Sequence, residues 1–139
     1  MSKDAIKVLE ERGLVKQRTH EEPLQKQLQQ PTTFYIGFDA TAQSLHVGHL
    51  LPIMVMAHMR RCGHHPIALL GGGTTMVGDP SGKTEMRKML DVDTIASYTE
   101  SIGAQIQGIL RALPGPEVTM VNNADWLLKL NYIEFLREV

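Results

Sequence analysis

His46 and His49 stand three apart with Gly48 between them, directly after a stretch, Tyr35–Phe38, that reads as a strand running into a turn. Such a pair suits three chemistries: metal binding, acid/base catalysis, or the holding of a phosphate. The spacing is not the His-Glu-x-x-His pattern that puts two ligands on one helical face, and no acidic residue lies between the two rings. His58, Cys62, His64 and His65 could be gathered into a donor set, but they read more simply as an exposed helix end and turn. The residues after the pair have helical spacing, so it falls at a helix start, where free N–H groups and the positive end of the helix dipole favour anions. Gly48 removes a side chain there, so that a ligand can approach the backbone. Asp39, Ala40 and Thr41 lead into the same turn. Converging hydrogen-bond donors at a helix start suit phosphate better than metal; the plain alternative is two surface histidines.

A second candidate is the glycine-rich run from Gly71 to Thr84, Gly-Gly-Gly-Thr-Thr-Met-Val-Gly-Asp-Pro-Ser-Gly-Lys-Thr. It suggests nucleotides, yet two standard fingerprints fail on counting. A phosphate-binding P-loop needs four residues between its glycines, and here Val77 occupies the required first position. A dinucleotide fingerprint begun at Gly71 meets Met76 where its third glycine belongs. Taken alone, the run is also compatible with a turn that binds nothing.

Elements must position these residues, and the chain of 139 residues is the size of one ordinary domain. Hydrophobic residues make up 42% of it, enough for a core, while a net charge of -1 argues no general attraction to nucleic acid or acidic membranes. Cys62 is the only cysteine, which excludes an internal disulfide and fits a reducing cytosol. The charged opening residues lack a secretory apolar region, and the run Leu50 to Ala57 falls short of the roughly 20 residues of a membrane span. A cytoplasmic protein with no membrane partner is expected.

The periodicity predicts a short helix over Asp4–Glu11 stopped by Gly13, and a second helix opened by a capping box at Thr19–Glu22 that carries Leu24 and Leu28 on one face. Neither low-complexity sequence nor an internal repeat interrupts the chain. Strands are predicted over Thr32–Phe38, Pro66–Leu70 and Glu117–Val121, and helices over Val47–Cys62, Val92–Leu113 and Trp126–Val139. In the first of these helices Leu50, Leu51, Met54, Val55 and Met59 fall at helical spacing, and Pro52 requires a helix that begins a few residues before it. The continuous apolar run Pro66–Leu70 predicts a strand buried on both faces. Alternating strands and helices predict an α/β fold, a Rossmann-like doubly wound parallel sheet, with ligands in the crevice beyond the carboxyl ends of the strands. Residues 1–30 are read as an N-terminal helical segment and 31–139 as the nucleotide-binding unit.

His46-Val-Gly-His49 resembles the HIGH signature of class I aminoacyl-tRNA synthetases. The surrounding Tyr35-Ile-Gly-Phe-Asp-Ala-Thr-Ala42 and Gly78-Asp-Pro-Ser-Gly-Lys83, with Asn122-Asn-Ala-Asp-Trp126 further on, are similar to the bacterial-type tyrosyl-tRNA synthetases. Three departures are mild: Ala40 where the family usually has proline, Val47 for isoleucine and Ala124 for tyrosine. A larger one is that the family's second signature, KMSKS, does not occur, so the chain is expected to be the N-terminal portion of the catalytic domain.

The resemblance implies a tyrosine–tRNA ligase: tyrosine attacks the α-phosphate of ATP, carried as its Mg²⁺ complex with no dedicated protein metal ligand, and tyrosyl-adenylate then passes its amino acid to tRNA(Tyr). It implies catalytic roles for Thr41, His46, His49, Lys83 and Arg87, the last two neutralising the departing pyrophosphate. Tyrosine would be held by Tyr35 at the phenol and Asp79 at the ammonium group, with Gly37, Asp39 and Thr74 contributing, and ATP by Asp39, Thr41, His46, Gly48 and His49. It further implies a homodimer. The fragment alone is expected to be weakly active or inactive. Alternatives are a tryptophanyl-tRNA synthetase, another HxGH nucleotidyltransferase, or an inactive fold fragment serving as a binding module.

Overall fold

A computed structural model of the chain describes residues 4–77 and 90–138. The chain opens with α1 (Ala5–Glu11) and α2 (Glu21–Gln27), then runs β1 (Thr33–Phe38), α3 (Val47–Arg61) and β2 (His65–Leu70). It continues through α4 (Gly72–Val77), α5 (Val92–Arg111), β3 (Thr119–Asn122), α6 (Ala124–Leu127) and α7 (Tyr132–Glu138). The strands form one parallel sheet in the order β1-β2-β3, with Tyr35 beside Ile67, Gly37 beside Leu69, and Leu69 beside Val121. The expected α/β, Rossmann-like architecture is present.

Strand alternation splits the sheet into two unlike faces. Phe34, Ile36 and Phe38 of β1, Ala68 and Leu70 of β2, and Met120 of β3 point to the side covered by both long helices. There α3 contributes Ile53, Met56 and Ala57, and α5 contributes Ile102, Ile106 and Leu110. The opposite side carries Tyr35, Gly37, Ile67, Leu69, Thr119 and Val121, all exposed or half-buried. The predicted burial of β2 on both faces is therefore corrected among the described residues: Ile67 and Leu69 are apolar but only partly covered.

Local chemistry fixes the helix ends. The Asp91 carboxylate caps α5 by accepting from the Thr94 N–H at 2.8 Å and from its hydroxyl at 2.7 Å. α3 stops at Gly63, whose φ of 96° is open to glycine, and the amides of Gly63 and His64 return to the carbonyls of Arg60 and Met59. The buried Arg60 guanidinium donates to the carbonyls of Leu110, Pro116 and Gly115 at 2.6, 2.7 and 3.2 Å, so α3 holds the end of α5 and the turn before β3. A second, smaller apolar cluster of Ala5, Leu9 and Met59, with Leu14, Val15 and Leu28 against it, seats the N-terminal segment on α3.

Several sequence expectations are corrected, among them the exposed helix end read at His58 and His64, both of which are buried. No capping box opens α2: His20 is the N-cap, with φ 51° and no side-chain hydrogen bond to the helix. In α3 the stripe buried toward the sheet is Ile53, Met56, Ala57 and Arg60; of the expected set, Met59 is buried and Val55 packs beside it in the second cluster, while Leu50 and Leu51 face outward. The start of α3 at Val47 precedes Pro52, as expected, and the Gly48 carbonyl, which lacks its helical donor, is exposed to solvent. The predicted helix from Trp126 breaks into α6 and α7, because the Asn131 side chain accepts from the amides of Ile133 and Glu134 and starts a new helix. One element was unforeseen: Gly72–Val77 is helical, not a turn.

Candidate functional site

The first half of the site is a reciprocal histidine cap where β1 feeds α3. Nδ1 of His46 accepts from the Gly48 N–H, and Nδ1 of His49 accepts from the His46 N–H, both at 3.1 Å. The rings lie 4.0 Å apart between centroids and 42° from parallel. An imidazole that accepts at Nδ1 carries its proton on Nε2 when neutral. Each ring therefore offers an Nε2–H donor that has no partner among the described residues. Burial, and next the nearby His46, hold the pKa of His49 below the ordinary imidazole value, which favours this neutral donor form. Gly48 has a more specific reason than ligand access: a Cβ there would stand 2.8 Å from Cε1 of His46, so any side chain would push the capping ring away.

The loop leading to this cap is held by α5. The Gln105 side-chain oxygen accepts from the Leu45 N–H at 3.2 Å, and its nitrogen donates to the Gln43 carbonyl at 3.1 Å. The Ser101 hydroxyl donates to that same carbonyl at 2.8 Å. Asp39 and Thr41 are exposed on this loop, while Ala40 between them is buried.

The second half is α4, which lies across the carboxyl ends of the strands. The buried Asn123 side chain accepts from the Gly73 N–H at 2.7 Å and donates to the Thr74 hydroxyl at 3.1 Å. That hydroxyl in turn donates to the Gly71 carbonyl at 3.2 Å. On the other side the Thr75 hydroxyl accepts from the Ala40 N–H at 3.1 Å. The glycines allow the close approach: a Cβ on Gly72 would stand 2.6 Å from the Asn122 side-chain oxygen.

Of the residues singled out in the sequence, Asp39, Thr41, His46, Gly48 and His49 fall in one loop-and-cap unit after β1, with Thr74 across from them on α4. Tyr35 and Gly37 lie on β1, on the open face of the sheet, and Tyr35 is 69% exposed. Asp79, Lys83 and Arg87 lie outside the described residues. Ser101, Gln105, Thr75 and Asn123 escaped the sequence reading. Asn123 and Thr75 stood in stretches singled out above but not as residues of the site, and Thr75, Gln105 and Ser101 bond to partners 35 to 62 positions away, which leaves no local pattern. Among the described residues no three His, Cys, Asp or Glu side chains are grouped to hold a metal. Two concavities lie away from this unit: an open one of about 730 Å³ near Pro23 and Thr33, and an apolar groove of about 460 Å³ between the N-terminal segment and β1 that Tyr35 borders.

Known proteins are similar to this chain in sequence and in shape. A tyrosine–tRNA ligase of Clostridium tetani is 53% identical over 140 residues, covering 100% of this chain and 34% of the relative. One of Clostridium beijerinckii is 58% identical over 130 residues, covering 93% of this chain and 32% of the relative. The chain thus spans about a third of the length of the curated relatives it matches. Among solved structures, a C-terminally truncated mitochondrial tyrosyl-tRNA synthetase of Aspergillus nidulans aligns over 99% of this chain and 42% of its own, with a TM-score of 0.79 and 31% identity. A tyrosyl-tRNA synthetase of Archaeoglobus fulgidus, at 16% identity and a TM-score of 0.59, shares the fold. The sequence profile described as tRNA synthetases class I (W and Y) matches residues 26–139, and the chain belongs to that family.

Proposed function

We propose that this chain is the N-terminal portion of the catalytic unit of a cytoplasmic tyrosine–tRNA ligase, residues 31–139 forming the nucleotide-handling part and residues 1–30 a helical segment packed on it. The whole protein joins tyrosine to ATP, taken as its Mg²⁺ complex, and then charges tRNA(Tyr), working as a homodimer. The observation that carries this reading is the reciprocal cap of His46 and His49, which fixes two Nε2–H donors at the start of α3 beside the loop of Asp39 and Thr41. Helix starts favour anions, and neutral imidazole donors add hydrogen bonds there.

In the reaction a tyrosine carboxylate oxygen forms a bond to the α-phosphorus while the bond to pyrophosphate breaks. Such chemistry is served by positioning and by donors placed where charge develops. His46 and Thr41 hold the outer phosphates, His49 contacts the ribose end, and Gly48 gives room for both the ring and the nucleotide. The backbone of Gly37 and Asp39 lines the reacting carboxylate. Tyr35 meets the phenol, and Asp79 the ammonium group with the Thr74 backbone beside it. Lys83 and Arg87 neutralise the departing pyrophosphate.

Tyrosine-dependent exchange of pyrophosphate into ATP by the full-length protein tests this. His46→Ala lowers kcat by about 10²–10³, as loss of one transition-state donor does, with tyrosine affinity unchanged. Exchange supported equally by tryptophan or phenylalanine overturns the tyrosine assignment, and loss of tyrosine binding with kcat retained overturns the role of His46.

A further inference from the structure

We propose that Thr75 is a positioning residue for ATP, acting through its hydrogen bond to the Ala40 amide. The inference rests on the functional reading above for its consequence and on geometry alone for its existence. Ala40 is 1% exposed, so its N–H has no route to water and needs a partner inside the protein. The Thr75 hydroxyl oxygen supplies it at 3.1 Å. Threonine is branched at Cβ and stiff about its first torsion, so the oxygen is held and not merely available.

The bond matters because of what flanks it. Ala40 sits between Asp39 and Thr41, the residues assigned to the reacting carboxylate and the outer phosphates. α4 is held from the other side by Asn123, through the Gly73 amide at 2.7 Å and the Thr74 hydroxyl at 3.1 Å. The adjacent threonines thus tie one short helix to the exits of β1 and β3, and Thr75 is the tie to the phosphate-handling loop. Position 40 is also where the family resemblance leads one to expect proline. A proline has no N–H to satisfy and a locked φ, whereas alanine brings a buried donor and a freer backbone. Thr75 answers both: it accepts from the donor and restrains the loop. Ala40 and Thr75 act as one unit.

Two measurements test the unit independently of each other. Amide hydrogen exchange on this chain reads the bond itself. Thr75→Val raises exchange at Ala40 by roughly tenfold, the size expected for a buried N–H left unmet, with the Gly71 amide unchanged, and Thr75→Ser retains protection. Pyrophosphate exchange by the full-length protein reads the consequence. There Thr75→Val raises the ATP KM by roughly tenfold through displacement of the loop and the tyrosine KM by less, whereas in an Ala40→Pro background the same substitution has no effect. Full Ala40 protection in Thr75→Val, or equal losses in both backgrounds, overturns the proposal. If Thr75→Val does not fold, a folded and active Ala40→Pro/Thr75→Val protein supports the unit and an unfolded one overturns it. A wild-type enzyme without any exchange activity refutes the functional reading instead, and the amide measurement then decides on Thr75.

Discussion

The two faces of the sheet are made by the same strands in the same register, yet one is a packed interior and the other is open. On the packed side Ile53, Met56, Ile102, Ile106 and Leu110 are 1% exposed or less, locked between α3, α5 and the sheet. On the open side the paired positions are Tyr35 with Ile67, and Gly37 with Leu69 and Val121. Stability is concentrated on the first face, whereas Tyr35 and Gly37, both assigned to substrate, lie on the second. Substrate-handling residues can be exchanged on a face that packs little, because the fold does not depend on them.

The sharpest test substitutes one apolar residue on each face. Ile106→Ala is expected to destabilise by about 2–5 kcal/mol, as truncation in a close-packed core does, while Leu69→Ala costs about 1 kcal/mol or less because its surroundings are half open. Denaturant midpoints decide, and equal losses would erase the distinction between the faces.

Acid sharpens the comparison at the rim of the packed layer. His64 is buried; its Nδ1 accepts from the Thr32 N–H at 3.2 Å and its Nε2 has no partner among the described residues. Burial first, and His65 second, hold its pKa below the ordinary value of 6.5. The folded state therefore resists protonation more than the unfolded chain does. Stability is intact above pH 6.5 and falls as the pH drops below it, by at most about 1.4 kcal/mol per pH unit for one such proton. His58, depressed by burial and by Arg12 and Arg61, adds to the same trend, as does His49. Comparing unfolding midpoints at pH 7.5 and 5.5, His64→Gln is expected to shrink the difference without removing it; an unchanged difference would show that His64 takes no part.

The smallest effect belongs to the open face. Tyr35→Phe should leave stability within about 0.5 kcal/mol, as exposed substitutions do, while weakening tyrosine binding by the full-length protein. A large loss of stability would mean that the open face is structural after all.

Much of this was legible in the residues themselves. The change of period after Pro31 marks β1 and the continuous apolar run marks β2, each within a residue of where it lies, and the His46–His49 spacing marks the cap. What could not be read depends on distant partners. A run of three glycines followed by threonines reads as a turn because glycine is a poor helix former. Here the run is helical because Asn123, 50 positions away, caps the Gly73 amide from outside. The core-facing stripe of α3 was ambiguous for a related reason, since Leu50 and Ile53 are equally apolar and only the position of the sheet separates them.

Arg60 shows how such distance can leave a segment free to vary. Its guanidinium reads three main-chain oxygens, those of Leu110, Gly115 and Pro116, and no side chain of the turn. Carbonyl oxygens are common to every residue, so the specification of this turn is written in α3 and not in the turn. Ala112 and Pro114, both exposed, can drift in sequence while the geometry persists, whereas Leu113 packs against the core. Gly115 cannot, because a Cβ there would stand 2.7 Å from that of Arg60. Lysine, a single point charge, could not replace a fork that serves three acceptors at once.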